Sequence, residues 1–158
     1  MLVSRKMFRI GVISDTHVHT LDDLHPKIVK ALSGVDLILH AGDFTQVAVL
    51  EGLKTLGQVR AVHGNMDSGG LKALLPAKES FNFAGRKIGL VHGSSAPWGI
   101  AGRVREMFTD EDVIVFGHSH IPCNQVVKGS LLFNPGAARD SFGILAIDDE
   151  IRGEVVRI

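Results

Sequence analysis

Five short apolar runs in this chain each break off into a knot of Gly, Asp, Asn or His, and that repeated ending constrains the fold more than any other feature. Phe8 through Ser14 leads into Asp15-Thr16-His17, and Val35 to Leu39 leads into His40-Ala41-Gly42-Asp43. Val59 to Val62 ends in His63-Gly64-Asn65-Met66-Asp67, Lys87 to Val91 in His92-Gly93, and Val113 to Phe116 in Gly117-His118-Ser119-His120. The runs are short, rich in β-branched residues and stopped by polar ones, which is the pattern of buried strands. Helical spacings lie between the first three. One covers Leu21 to Leu32, where Pro26 fits only if the helix starts near it. The other covers Val47 to Leu56 and is ended by Gly57. The order β-α-β-α-β implies parallel strands joined by right-handed crossovers. The carboxyl ends of such strands converge on one edge of the sheet, and ligands bind there. Asp15, His17, Asp43, Asn65, His92, His118 and His120 are therefore expected at one site.

The second half has a different rhythm. Glu79 to Ala84 and Lys87 to Val91 flank Gly85-Arg86, a hairpin signal. A helix is expected over Ile100 to Phe108. Short strands follow at Asn124 to Val127, Leu131 to Phe133, Phe142 to Ile147 and Ile151 to Ile158, with turns at Lys128-Gly129 and Asp148-Asp149-Glu150. A parallel half and a hairpin-rich half predict an α/β fold of two packed sheets with helices outside. The 158 residues predict one domain spanning 1–158, since a domain takes about 100–200 residues.

Composition removes several function classes. Hydrophobic residues make up 45% of the chain, which excludes a disordered chain. Lys plus Arg and Asp plus Glu both number 17, so bulk charge gives no reason to expect a coat on nucleic acid or an anionic membrane. The single cysteine, Cys123, permits no intramolecular disulfide and no thiolate cluster. Apolar runs fall far short of the ~20 residues of a membrane span. The stretch after Arg5, Lys6 and Arg9 is too short for a signal-peptide core. A cytoplasmic location is the expectation.

The converging set offers carboxylate, imidazole and amide donors and no thiolate. Imidazole suits Zn²⁺, Fe²⁺, Ni²⁺ and Cu²⁺, and carboxylate and amide suit harder ions such as Mn²⁺; Mn²⁺ is the expected ion, with Ni²⁺, Fe²⁺, Co²⁺ and Zn²⁺ as alternatives. Seven donors exceed the four of a tetrahedral centre. They suit two divalent ions that share a carboxylate and a water. Two ions ~3.5–4 Å apart clamp a phosphoryl group, and water bound to them ionises near pH 7, so a bridging hydroxide would attack phosphorus in line.

Asp15-x-His17, Gly42-Asp43, Gly64-Asn65-x-Asp67, His92-Gly93 and Gly117-His118-x-His120, in that order, resemble the calcineurin-like metallophosphoesterases. The chain looks most like the small bacterial and archaeal phosphodiesterases of that superfamily. The match runs from about Ile10 to Asn134-Pro135-Gly136, with gaps of 26, 22, 27 and 26 residues from His17 to Asp43, Asn65, His92 and His118. The resemblance implies a four-layer α/β/β/α sandwich of two mixed sheets. It implies one ion held by Asp15, His17, Asp43 and His120, and a second held by Asp43, Asn65, His92 and His118. Asp43 would bridge, and Asp43, Asn65 and His92 would be the residues of catalysis. The implied substrate is a small phosphodiester or nucleotide-like molecule. A homo-oligomer is compatible with the sequence.

Several positions depart from the family pattern. Met66 stands where many members have a His able to protonate the leaving group. Val18 stands where relatives have Gly, Ser94 where many have a second His, and Ala137 where Ser is common. Two other readings remain: a phosphomonoesterase, or a scaffold such as the retromer subunit that resembles this family. All seven ligand positions are filled, which favours the enzyme. Around them, His40 and His63 are expected in the core or against the ligands. His19 is open to either reading, and His25 is expected at the surface. Asp67 is expected to orient a ligand histidine. Trp98, Arg103 and Arg105 form either a solvated helix face or a rim that meets substrate.

Overall fold

The computed structural model describes residues 6–158. The first half holds β1 (Phe8–Ile13), α1 (Pro26–Leu32), β2 (Leu37–His40), α2 (Val47–Leu56), β3 (Val59–Ala61) and α3 (Gly69–Leu74). The second half holds β4 (Lys78–Phe83), β5 (Arg86–Val91), α4 (Ile100–Glu106), β6 (Val113–Val115), β7 (Cys123–Val127), β8 (Ser130–Asn134), β9 (Ser141–Ile147) and β10 (Ile151–Arg157).

The strands form two five-stranded sheets, ordered β10-β9-β1-β2-β3 and β4-β5-β6-β8-β7. In the first, β1, β2 and β3 run parallel while β9 and β10 are antiparallel. In the second, β5, β6 and β8 run parallel and β4 and β7 close the edges antiparallel. Alternation along each strand sorts side chains into layers. Ile10, Val12, Leu37 and Leu39 meet Ile88, Leu90, Val113 and Val115 between the sheets. On the outer face of the first sheet, Ile13 and Ile38 pack on Ile28 and Leu32 of α1 and on Val49, Leu50 and Leu53 of α2. On the outer face of the second, Ile114 and Leu132 pack on Ile100 and Val104 of α4. The expected order of helix, sheet, sheet and helix is present.

Three local expectations are revised. The run Leu21 to Leu32 is not one helix. A 3₁₀ turn covers Leu21–Asp23, and α1 begins with Pro26 at its first turn. Proline lacks the N–H that a helix interior needs, so it can only open one. The β4–β5 turn is Ala84-Gly85 rather than Gly85-Arg86, because Phe83 pairs with Arg86. Both turn residues have positive φ, 53° and 77°, the conformation of a tight two-residue hairpin. The helix α3 was not anticipated. Its two leading glycines weaken helix propensity, and it is fixed by Ser68 Oγ accepting from Leu71 N at 3.3 Å and by the burial of Leu71.

Candidate metal centre

The parallel strands β1, β2, β3, β5 and β6 all open onto one edge of the paired sheets, and the polar clusters follow them there. Asp15 and Asp43 are buried at 3% exposure each, as is His92. His17 and His120 lie at the mouth, with 37% and 40% of their side chains exposed.

Five of the seven candidate ligands hold a left-handed backbone: Asp15 (φ 53°), His17 (48°), Asp43 (62°), His118 (70°) and His120 (63°). Non-glycine residues enter this region at a cost of about 1–2 kcal/mol each, and such strain clusters where function over-determines the geometry. Two glycines admit the close approach of the loops. A Cβ on Gly64 would sit 2.1 Å from Asp43 Oδ1, and one on Gly117 would sit 2.0 Å from Ser14 Oγ.

The donor atoms form two tight groups, Asp15 with His17 and His120, and Asp15 with Asp43 and His92, each within 4.8 Å. Asp15 is common to both, whereas the resemblance assigns the shared position to Asp43. Asp43 Oδ2 does reach both sides, 3.2 Å from His92 Nε2 and 3.8 Å from His17 Nε2. His118 stands outside both groups, its ring centroid 5.3 Å from that of His92. Asn65 is exposed and lines the same cavity as His92.

Four of the candidate ligands have one atom fixed by the protein and one left over. Asp15 Oδ2 accepts from Ser14 Oγ at 2.6 Å and from His118 N at 3.3 Å. Asp43 Oδ1 accepts from Met66 N at 2.8 Å. His92 Nδ1–H donates to Ala41 O at 2.7 Å, so its Nε2 carries a lone pair. His118 Nε2–H donates to Ser95 O at 2.9 Å, leaving Nδ1 as the basic atom. Among the described residues, Asp15 Oδ1 and His92 Nε2 are buried without a hydrogen-bond partner. They lie 3.8 Å apart, and His120 Nε2 approaches the same Asp15 oxygen at 3.3 Å. The 3.2 Å approach of His92 Nε2 to Asp43 Oδ2 lacks a hydrogen bond's alignment. Burial opposes protonation of His92, yet Asp43 and Asp15 outweigh it and lift its pKa above the usual imidazole value. Burial likewise opposes ionisation of Asp43, but His92, the Met66 N–H and His17 hold its pKa below the usual range. Orphaned acceptors gathered around one point, in a field that draws positive charge, fit a cation held by Asp15, Asp43 and imidazole.

The supporting residues differ from expectation at Asp67. Its carboxylate orients backbone, not a histidine: Oδ2 accepts from Asp43 N at 2.9 Å and Gly64 N at 2.6 Å, and Oδ1 accepts from Thr45 N at 2.8 Å. His40 is fully buried and stacked on Phe44 at 3.4 Å. Gly42 N donates to its Nδ1 at 3.0 Å, so Nε2–H donates to Thr16 Oγ1 at 3.1 Å and ties the first loop to the second. Burial, with the nearby His92, holds its pKa well below the usual value. His63 lines the cavity beside Asn65, and its Nδ1 has no partner among the described residues. His19 is exposed, and His25 caps α1 by accepting from Lys27 N. Trp98 is 79% exposed. Arg103 is neither free in solvent nor aimed at substrate, because its guanidinium holds the carbonyls of Ser94, Ala96 and Trp98. Arg105 does the same for Phe108, Thr109 and Lys128, away from the centre. Sequence reasoning named Asn134 only as part of the end of the match and gave it no role. Fully buried, it donates to Gly117 O and Ser119 Oγ, each at 3.1 Å, and so fixes the loop that carries His118 and His120.

Comparison with known proteins bears on the same residues. A probable metallophosphoesterase of Methanothermobacter thermautotrophicus is 35% identical over 94% of this chain and 91% of its own length. A phosphodiesterase of Methanocaldococcus jannaschii is 28% identical over 81% and 82%. Among solved structures, a Thermotoga maritima protein superposes with a TM-score of 0.76 at 31% identity, covering 96% of this chain and 99% of that one. A Vps29 variant from Entamoeba histolytica superposes with a TM-score of 0.74 at 25% identity, covering 96% and 99%. The model of the calcineurin-like phosphoesterase superfamily domain matches residues 8–148, from the first strand through every cluster described above. With its strand-end carboxylates and imidazoles gathered at one sheet edge, the chain belongs to that superfamily of metallophosphoesterases.

Proposed function

We propose that the chain is a phosphodiesterase that uses two divalent ions, with Mn²⁺ the best match to its donors, to hydrolyse a small phosphodiester. One observation carries this reading. Asp15 Oδ1 and His92 Nε2 are buried without a hydrogen-bond partner among the described residues, and both lie beside Asp43 Oδ2 or one another. Buried acceptors left unpaired are costly, and divalent cations bound among them would satisfy all three. Asp15, His17, Asp43 and His120 would hold one ion, and Asp43, Asn65, His92 and His118 the other. When bound, such ions acidify water toward neutral pH and neutralise charge on the phosphoryl oxygens. The protein fixes the imidazoles in the tautomers that ligation needs, through Ala41 O for His92 and Ser95 O for His118. It supplies no proton from Met66, whose side chain is 60% exposed and cannot titrate.

The likeness to Vps29 supports a second reading, a scaffold on the same fold. The complete ligand set argues for the enzyme, since fold alone does not determine function. Metal-depleted protein supplied with Mn²⁺ should hydrolyse bis(4-nitrophenyl) phosphate faster than 4-nitrophenyl phosphate, and Asp43→Ala should abolish the activity. Undiminished turnover by Asp43→Ala, or none by the wild type with any of the five metals, would refute the reading.

A further inference from the structure

The concave space at the centre is one-sided. A cavity of about 330 Å³ is lined by Asn65, His92, Lys72 on α3, Lys78 at the start of β4, and Met107. Both lysines are tethered to backbone carbonyls. Lys72 Nζ donates to Asn65 O at 3.4 Å. Lys78 Nζ donates to Met107 O at 2.7 Å and stands 5.0 Å over the Phe108 ring. Among the described residues neither has a carboxylate partner, whereas Lys54 and Lys128 each have one and Lys87 has two. An ammonium offers three donors, so each retains N–H groups for a ligand. Val91 and Ala77 add apolar lining to the cavity. The volume lies at the lower end of the ~300–1,000 Å³ typical of small-ligand pockets, the size of a sugar phosphate rather than a polymer.

A phosphoryl-binding centre and two lysines without carboxylate partners, Lys72 beside Asn65 and Lys78 beside Met107, line one cavity and make a seat for a molecule that carries a second anionic group. We propose that this cavity receives one arm of the substrate, and that Lys72 and Lys78 select an arm carrying a second phosphate. The inference rests on the phosphodiesterase reading above. Hydrolysis would break only the P–O ester bond at the centre. Water would give its hydroxyl to phosphorus and its proton to the departing oxygen, and the second phosphate would pass through unchanged.

Calorimetric titration of the protein in Mn²⁺ with adenosine 3′,5′-bisphosphate and with adenosine 5′-monophosphate tests the seat directly. Charge-assisted bonds from two lysines should make the bisphosphate bind at least ~10-fold tighter. In the Lys72→Gln/Lys78→Gln variant that preference should fall below ~3-fold. Equal affinities in the wild type, or a preference that survives the double substitution, would overturn the proposal. Hydrolysis of bis(4-nitrophenyl) phosphate by the wild type is read separately. Turnover without a bisphosphate preference overturns the seat alone. A preference without turnover overturns the phosphodiesterase reading and leaves the seat standing.

Discussion

The carboxylate of Asp67 is the most informative place to perturb the centre without touching a proposed ligand. Only 6% exposed, it accepts from three backbone N–H groups on two loops. Two of those donors belong to Asp43 and Thr45, both left-handed at φ 62° and 72°. Asp67→Asn keeps the shape but exchanges one oxygen for an NH₂ group. The least damaging placement keeps Oδ1 at the Oδ2 position, on Asp43 N and Gly64 N, and turns NH₂ toward Thr45 N. One buried N–H is then unpaired, at about 1–3 kcal/mol, and the two remaining bonds lose their charge assistance. The total is about 3 kcal/mol. For a chain of this size each kcal/mol moves Tm by about 2–4 °C, so a fall of about 6–12 °C is expected. Because Asp43 then sits less firmly, affinity for Mn²⁺ should fall about 10–100-fold, as it does when partners behind a metal ligand are removed. Calorimetric melting and metal titration read the two effects. A Tm within 2 °C of the wild type, together with unchanged metal affinity, would refute the claim that Asp67 holds Asp43 in place.

Three further outcomes are expected. Saturating Mn²⁺ at about 100 times its Kd should stabilise the fold by about 2.7 kcal/mol, so that EDTA lowers Tm by about 5–11 °C; a Tm indifferent to EDTA would count against a structural metal centre. Burial of His40 depresses its folded pKa below the unfolded value, so its share of stability is complete above about pH 6.5 and is lost as pH falls toward the folded pKa, at up to about 1.4 kcal/mol per pH unit; His40→Gln should remove that component from denaturant melts between pH 6.5 and 5, and an unchanged slope would contradict it. Met66→His should speed hydrolysis of alkyl esters far more than nitrophenyl esters, by up to about 10²-fold, because a positioned acid matters most for poor leaving groups; a shallow dependence of wild-type rate on leaving-group pKa would show that another donor already acts.

The sequence made the location of the centre legible because a parallel sheet turns a pattern into a place. Any residue just beyond a parallel strand lies on the same edge, so Asp15, Asp43, His92 and the others could be collected without knowing a single contact. What it did not disclose depends on approach between loops. Asp67 reaches back 24 residues to Asp43, and nothing in the spacing distinguishes that partner from a histidine. The left-handed backbone at Asp15, His17 and Asp43 is equally silent, since Asp and His carry no turn requirement of the kind that glycine signals. Arg103 and Arg105 read as a solvated helix face or a substrate rim because the carbonyls they hold belong to loops whose path the sequence leaves open. Asn134 is the instructive omission. The run Leu131 to Phe133 reads as one arm of a hairpin, and β8 does pair with β7 that way. Its other neighbour is β6, however, and that pairing is parallel. The end of β8 therefore opens on the same edge as the five clusters, and the rule that gathered the candidate ligands also reaches the residue that fixes the loop carrying two of them.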